Sequence, residues 1–243
     1  MLRATGMVPA VNEEEKMKSD NEPAKDVSYY ETSGALIHAA KEWTSVLENF
    51  PYGGGALILY LVLFQSELAP RWLSVWGLIG ATLLLAMGVL RLFGKPVVFL
   101  AIPLILNELV LAVWLIFVGF NSSAVASAIA GALFIAALVS TTLNGSFTKS
   151  IAGPDYLAAA SASESKVLIG VLFQVTLTAS VVAIPIVLFP ILRVHHEILA
   201  LAYVGARIFE GVADAAIALS QLLLLTLSRE FVKAENPPTA ATA

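Results

Sequence analysis

The 243-residue sequence contains no cysteine. Disulfides, thiolate metal sites and thiol nucleophiles are thereby excluded together. Charge is nearly as scarce, with Lys, Arg, Asp and Glu at 13% of the chain against roughly 25% in an ordinary soluble domain. So few charges cannot cover a water-facing surface, which excludes a soluble enzyme of conventional build. A basic stripe is missing too: the net charge is -4 and no Lys/Arg cluster could track phosphates, so nucleic acid is not expected as a partner. Residues 1–30 lack a charged segment followed by a short apolar run, so no cleavable signal peptide is expected and the first span itself directs insertion.

What the chain does have is apolar sequence. Hydrophobic residues make up 58% of it, and of its 32 charges 14 fall in residues 1–50 and 4 in residues 228–243, leaving only 14 for the whole of 51–227. This distribution predicts an all-α integral membrane bundle between two polar ends. Residues 1–32 carry no helical apolar period and read as a disordered polar tail, residues 33–228 as the bundle, and residues 229–243 as a flexible tail.

Six transmembrane helices are expected, at about 43–66, 72–90, 97–120, 124–147, 167–192 and 198–227. The second carries no charge from Trp72 to Leu90, close to the ~20 residues that a ~30 Å hydrocarbon core requires. Between Glu108 and Lys149 no charge occurs at all, a stretch too long for one span, and the Gly119 to Ser123 segment divides it into the end of the third and the whole of the fourth. Residues 148–166 form a polar connection. The fifth span carries no charge from Val167 to Leu192 and holds Pro185 as a kink. These runs are continuously apolar rather than alternating, which excludes a β-barrel. The side of the bilayer that holds both termini collects Lys41, Arg91, Lys95, Lys149, Lys166, Arg229 and Lys233, against Arg71 and Arg193 on the other, which places both termini in the cytoplasm.

The stretches PRWLSVWGLIGA (70–81), LNELVLAVWLIFVGFNSS (106–123), GPDYLAA (153–159), LALAYVGARIFEGV (199–212) and LLLLTLSREFVKA (222–234) together resemble the six-span bacterial membrane family catalogued as domain of unknown function 4386. The resemblance covers about residues 27–235 and leaves residues 1–25 outside it. It implies a multi-pass protein of the cell membrane, the bacterial inner membrane, and brings no activity with it. The order of the pieces departs from the family, whose members begin with what is here the fourth span and close with the third. The chain thus resembles a circular permutation joined at about Ser123 to Ala128. An even number of spans puts both family termini on one side, which permits such a join. The family's habit of placing basic residues also implies that the Arg71 and Arg193 side is cytoplasmic, opposite to the count above.

Candidate chemistry lies in the charges within the spans. A charge at mid-bilayer costs roughly 2.5–3.5 kcal/mol on insertion scales, so such groups face the bundle interior and seek partners. Arg207, Glu210 and Asp214 at i, i+3 and i+7 share one helical face within about 60°. Glu108 lies 12 residues before the end of its span, roughly 18 Å deep, which matches the depth of Glu210 and Arg207. Lys41 is the partner expected for Asp214 near the opposite face. Two readings fit this set. Arg207 neutralised by Glu210 and Glu108 would fix helix register; alternatively, three acids against one base mark a site for a polar ligand or a proton.

Other features weigh less. The run Phe50-Pro51-Tyr52-Gly53-Gly54-Gly55 is either a plain proline kink or a discontinuous helix of the kind that bounds transporter sites. His195-His196-Glu197 lacks metal-ligand spacing and reads as a solvated turn, while Trp43, Trp72 and Trp76 read as interfacial anchors. There is no P-loop, GxSxG or dinucleotide fingerprint, so no cofactor, metal or catalytic residue is assigned. The sequence therefore points to a non-enzymatic membrane protein with a polar intramembrane site that binds or passes a small solute. The alternatives are a membrane-embedded enzyme using Glu108 or Glu210 as acid or base, without an accompanying nucleophile, and a structural or regulatory partner protein.

Overall fold

The computed structural model describes residues 13–235 except Pro96, Asn121, Ser122 and Pro154, with side chains described for 27–234 of these. Among them there is no β-strand. The helices are α1 (Glu13–Leu47), α2 (Asn49–Ser66), α3 (Arg71–Leu92), α4 (Ile102–Phe117), α5 (Ala124–Phe147), α6 (Tyr156–Ala162) and α7 (Glu164–Glu235). Five segments are long and apolar enough to cross a membrane: Val27–Ser66, Arg71–Leu92, Val98–Phe117, Ala124–Phe147 and Glu164–Ala234. The last would be about 105 Å long if straight, more than three hydrocarbon thicknesses. It is not straight, because His196 leaves the helical region (φ -151°, ψ 86°) and divides α7 into two arms, 164–195 and 197–235. The fifth and sixth expected spans are these arms.

Burial in the bundle is inverted relative to a water-soluble protein. Phe209 is 67% exposed, while its neighbours Arg207 and Glu210 are 2% and 4% exposed. Leu172, Leu201 and Phe117 also face outward. Such a surface is stable against lipid chains and untenable against water. The interior is closed by Leu59, Tyr60, Leu73, Leu84, Leu104 and Tyr203. Close approach of α4 and α5 depends on Gly131, where a Cβ would lie 2.5 Å from the Ala112 carbonyl oxygen. The turn between these helices uses Gly119 at φ 64°, a conformation that favours glycine, and the Ser127 hydroxyl accepts the Phe120 N–H at 2.9 Å.

Helix runs past several of the boundaries expected from the sequence. The disordered tail expected at residues 1–32 is, from Glu13 onward, the start of α1, and residues 1–12 lie outside the described residues. The lack of an apolar period argues against burial, not against a helix, and this segment is rich in the strong helix formers Glu and Lys. The polar connection at 148–166 contains a 3-10 turn, Lys149–Ala152, and then α6, whose Ala160 packs with Ile151, Val167 and Leu225. At the other end, α7 continues to Glu235, past the expected start of the flexible tail. The run at Pro51 is not an unwound segment either. Glu48 keeps helical angles, and bonds from Glu48 N to Thr44 O (2.9 Å) and Tyr52 N to Glu48 O (3.1 Å) carry α1 into α2. Pro51 falls in the first turn of α2, where a missing N–H costs little.

Candidate functional site

The second arm of α7 carries a buried polar row. Arg207, Asp214, Gln221 and Ser228 recur every seven residues, and an α-helix drifts only about 20° per heptad, so all four line one seam. Each meets a different neighbour. Arg207 reaches Glu108 of α4, and Asp214 meets Gln174 of the first arm. Gln221 exchanges bonds with Asn144 of α5, and the Ser228 hydroxyl donates to the Leu157 carbonyl of α6.

Arg207 is the centre of the site. Its Nη1 donates to both carboxylate oxygens of Glu210 at 3.0 Å, and its Nη2 lies 3.4 Å from Glu108 Oε1. Glu108 Oε2 accepts the Tyr52 hydroxyl at 2.7 Å. Three rings surround the guanidinium, those of Tyr52, Tyr203 and Phe134, at 5.4, 5.5 and 5.9 Å from Cζ. Aromatic faces carry negative potential, so this box replaces part of the hydration the cation lost on burial. The expected joining of Glu108, Arg207 and Glu210 across the third and sixth spans is therefore what the side chains adopt.

Asp214 stands one turn further along and takes no part in this pairing. Its Oδ1 accepts from Gln174 Nε2 at 2.8 Å, and its Oδ2 has no hydrogen-bond partner among the described residues. Lys41, expected to pair with Asp214, makes no ion pair among the described residues. It lies seven residues before Glu48, roughly 10 Å higher along a continuous helix, and it is Glu48 that shares a cavity with Asp214. Glu48 and Tyr52 escaped the sequence reading, although Glu48 falls inside the span expected at 43–66 and an acid within a span is itself a signal. Gln174 and the aromatic box carried no local signal.

Next to the cluster lies a cavity of about 170 Å³, bordered by Glu48, Glu108, Arg207, Glu210 and Asp214. Its remaining wall is mostly apolar, with Leu177, Val181 and Ile184 from the first arm of α7. Ile105, Leu138 and Thr142 separate it from a groove of about 350 Å³ between α4 and α5, where Leu106, Leu109 and Val139 face outward. Among the described residues no group of three or more His, Cys, Asp or Glu side chains is arranged to hold a metal ion, and His195, His196 and Glu197 are exposed at the break in α7.

Fold and site together define a multi-pass helical membrane protein with a charged, partly hollow centre. The chain belongs to the family described as domain of unknown function DUF4386, whose model matches residues 1–119 and 129–243. The two matches part at residues 120–128, across the end of the α4–α5 turn and the start of α5, where the junction of a permuted chain is expected. The first match also takes in residues 1–25, which lie outside the resemblance. No curated protein and no solved structure matches the chain.

Proposed function

We propose that this is a non-enzymatic protein of the cell membrane, the bacterial inner membrane, whose central cavity binds or passes a small solute. The observation that supports this reading is the cavity itself. A cluster that served only to fasten helices would be packed against side chains on every side, since protein interiors leave few voids larger than a water molecule. Here ionisable groups from α4, from α7 and from the α1–α2 junction border about 170 Å³ of open volume with an otherwise apolar wall. Concave, largely apolar sites with a few convergent polar groups are the usual form of small-molecule sites.

A second reading, that the cluster sets helix register, is supported by the mutual pairing of Arg207 with Glu210 and Glu108. Native mass spectrometry of the detergent-extracted protein separates the two. Wild type is expected to carry a small molecule that Ala137→Phe, which fills the cavity from α5, does not carry, while both variants stay folded. Identical spectra free of bound small molecules would remove the solute-binding reading and leave the structural one.

A further inference from the structure

The charge of the cavity constrains what enters it, and this inference rests on the solute-binding reading above. Four carboxyls and one guanidinium border the space. Arg207 is already matched by Glu210 and Glu108, and Glu108 is further held by Tyr52. Two acids are left over. Asp214 is 1% exposed, and its Oδ2 lacks any partner among the described residues although the group lines open volume. Glu48 borders the same volume, and among the described residues no cation pairs with either acid. Arg91, one of the bases at this end of the bundle, donates instead to Ser45 O at 3.2 Å and Ser45 Oγ at 3.3 Å.

A buried carboxylate oxygen without a donor is costly, and a ligand that brings both a positive charge and N–H donors satisfies it. A hard divalent cation wants six or more oxygen ligands, whereas Glu108 and Glu210 are engaged by Arg207, the wall beyond the carboxyls adds only Thr141, Thr142 and Tyr52, and among the described residues no three acids are arranged to hold a metal ion. An organic cation uses both halves of the site, its ammonium on the acids and its body against the apolar wall. Size adds a further limit, because an apolar cavity of ~150 Å³ holds benzene.

We propose that the cavity takes a small organic ammonium ion whose apolar body is about the size of a benzene ring, with the ammonium seated on Asp214 and Glu48. The test uses the full-length protein in lipid nanodiscs at pH 7, with empty nanodiscs subtracted. It is titrated calorimetrically with benzylamine and with two isosteres, neutral benzyl alcohol and anionic benzoate. Benzylamine should bind at least tenfold more tightly than benzyl alcohol, and benzoate should not bind. Asp214→Asn should weaken benzylamine at least tenfold, and Glu48→Gln severalfold.

Equal affinity for amine and alcohol overturns the ammonium assignment and leaves the cavity reading standing. A preference for benzoate does the same, and makes Arg207 the receptor. Binding of none of the three probes overturns both. The isostere comparison is made on the unaltered protein, so it stands even where a variant fails to fold, and unchanged amine affinity in two folded variants overturns the seat on Asp214 and Glu48.

Discussion

Removing Arg207 should be tolerated better than removing its two acids. In Arg207→Leu, Glu108 keeps its bond from Tyr52, and each freed carboxyl can become neutral by taking up a proton. The new leucine sits among Tyr52, Tyr203 and Phe134, an apolar box that accepts it. Removing one partner of a buried ion pair costs about 3–5 kcal/mol when the other stays charged, and carboxyls that take up a proton leave no such charge, so a loss below about 2 kcal/mol is expected. In Glu108→Leu combined with Glu210→Leu the guanidinium stays charged, since it cannot lose its proton at any physiological pH. An uncompensated buried charge costs about 3–5 kcal/mol, and three rings at 5.4–5.9 Å return only part of that. The two variants should therefore differ by about 2 kcal/mol or more, which at about 2–4 °C per kcal/mol is a gap of some 4–8 °C in Tm. Tryptophan fluorescence and helical circular dichroism during thermal melting in one detergent would measure it. A double variant that melts at or above Arg207→Leu would refute the argument that a charge unable to neutralise itself dominates the site.

Other outcomes follow from the packing. Gly54→Ala should be neutral or stabilising by up to about 1 kcal/mol, because its Cβ meets nothing within 4 Å, whereas Gly131→Ala should lower Tm clearly as its Cβ meets a backbone oxygen at 2.5 Å; paired melts decide this. Gln221→Leu should cost on the order of 0.6 kcal/mol, the average for hydrogen bonds between membrane helices, and a double-mutant cycle with Asn144→Leu should return that coupling. Deleting residues 1–25 should leave Tm and insertion unchanged, since the contacts of α1 with α6 include Gly34 and the stacking of His38 on Tyr156; a deletion that runs through His38 should lower both. Reporter fusions at the two termini should report one compartment, as an even number of crossings requires, and opposite compartments would mean that one arm of α7 does not cross.

The sequence was informative where a physical rule acts within one helix. The seven-residue span from Arg207 to Asp214 fixes a face, and the count of 12 residues to the end of the third expected span at residue 120 sets the depth of Glu108, so the joining of Glu108 with Arg207 and Glu210 is legible in the residues alone. No ion pair joins Lys41 to Asp214 among the described residues, because Lys41 lies seven residues, roughly 10 Å of helix, before Glu48, which is the residue of this helix that borders the cavity of Asp214. Gln174 was illegible for another reason. It lies in a span free of charge, and only the fold of α7 back on itself at His196 brings it to Asp214. The ring box around Arg207 draws on α2, α5 and α7, a convergence that no local period encodes.

The seven-residue row on the last arm of α7 has a mechanical meaning. Its fasteners at Arg207, Asp214, Gln221 and Ser228 hold α4, the preceding arm, α5 and α6 respectively. A slide of this arm by one turn, about 5.4 Å, would undo all of them together. Loss of any single fastener leaves three in place, so one substitution weakens the bundle without offering it a new arrangement. The address of each helix is thus written in side chains along a single rod rather than in the loops, and the order in which the chain visits the helices becomes secondary to where they dock.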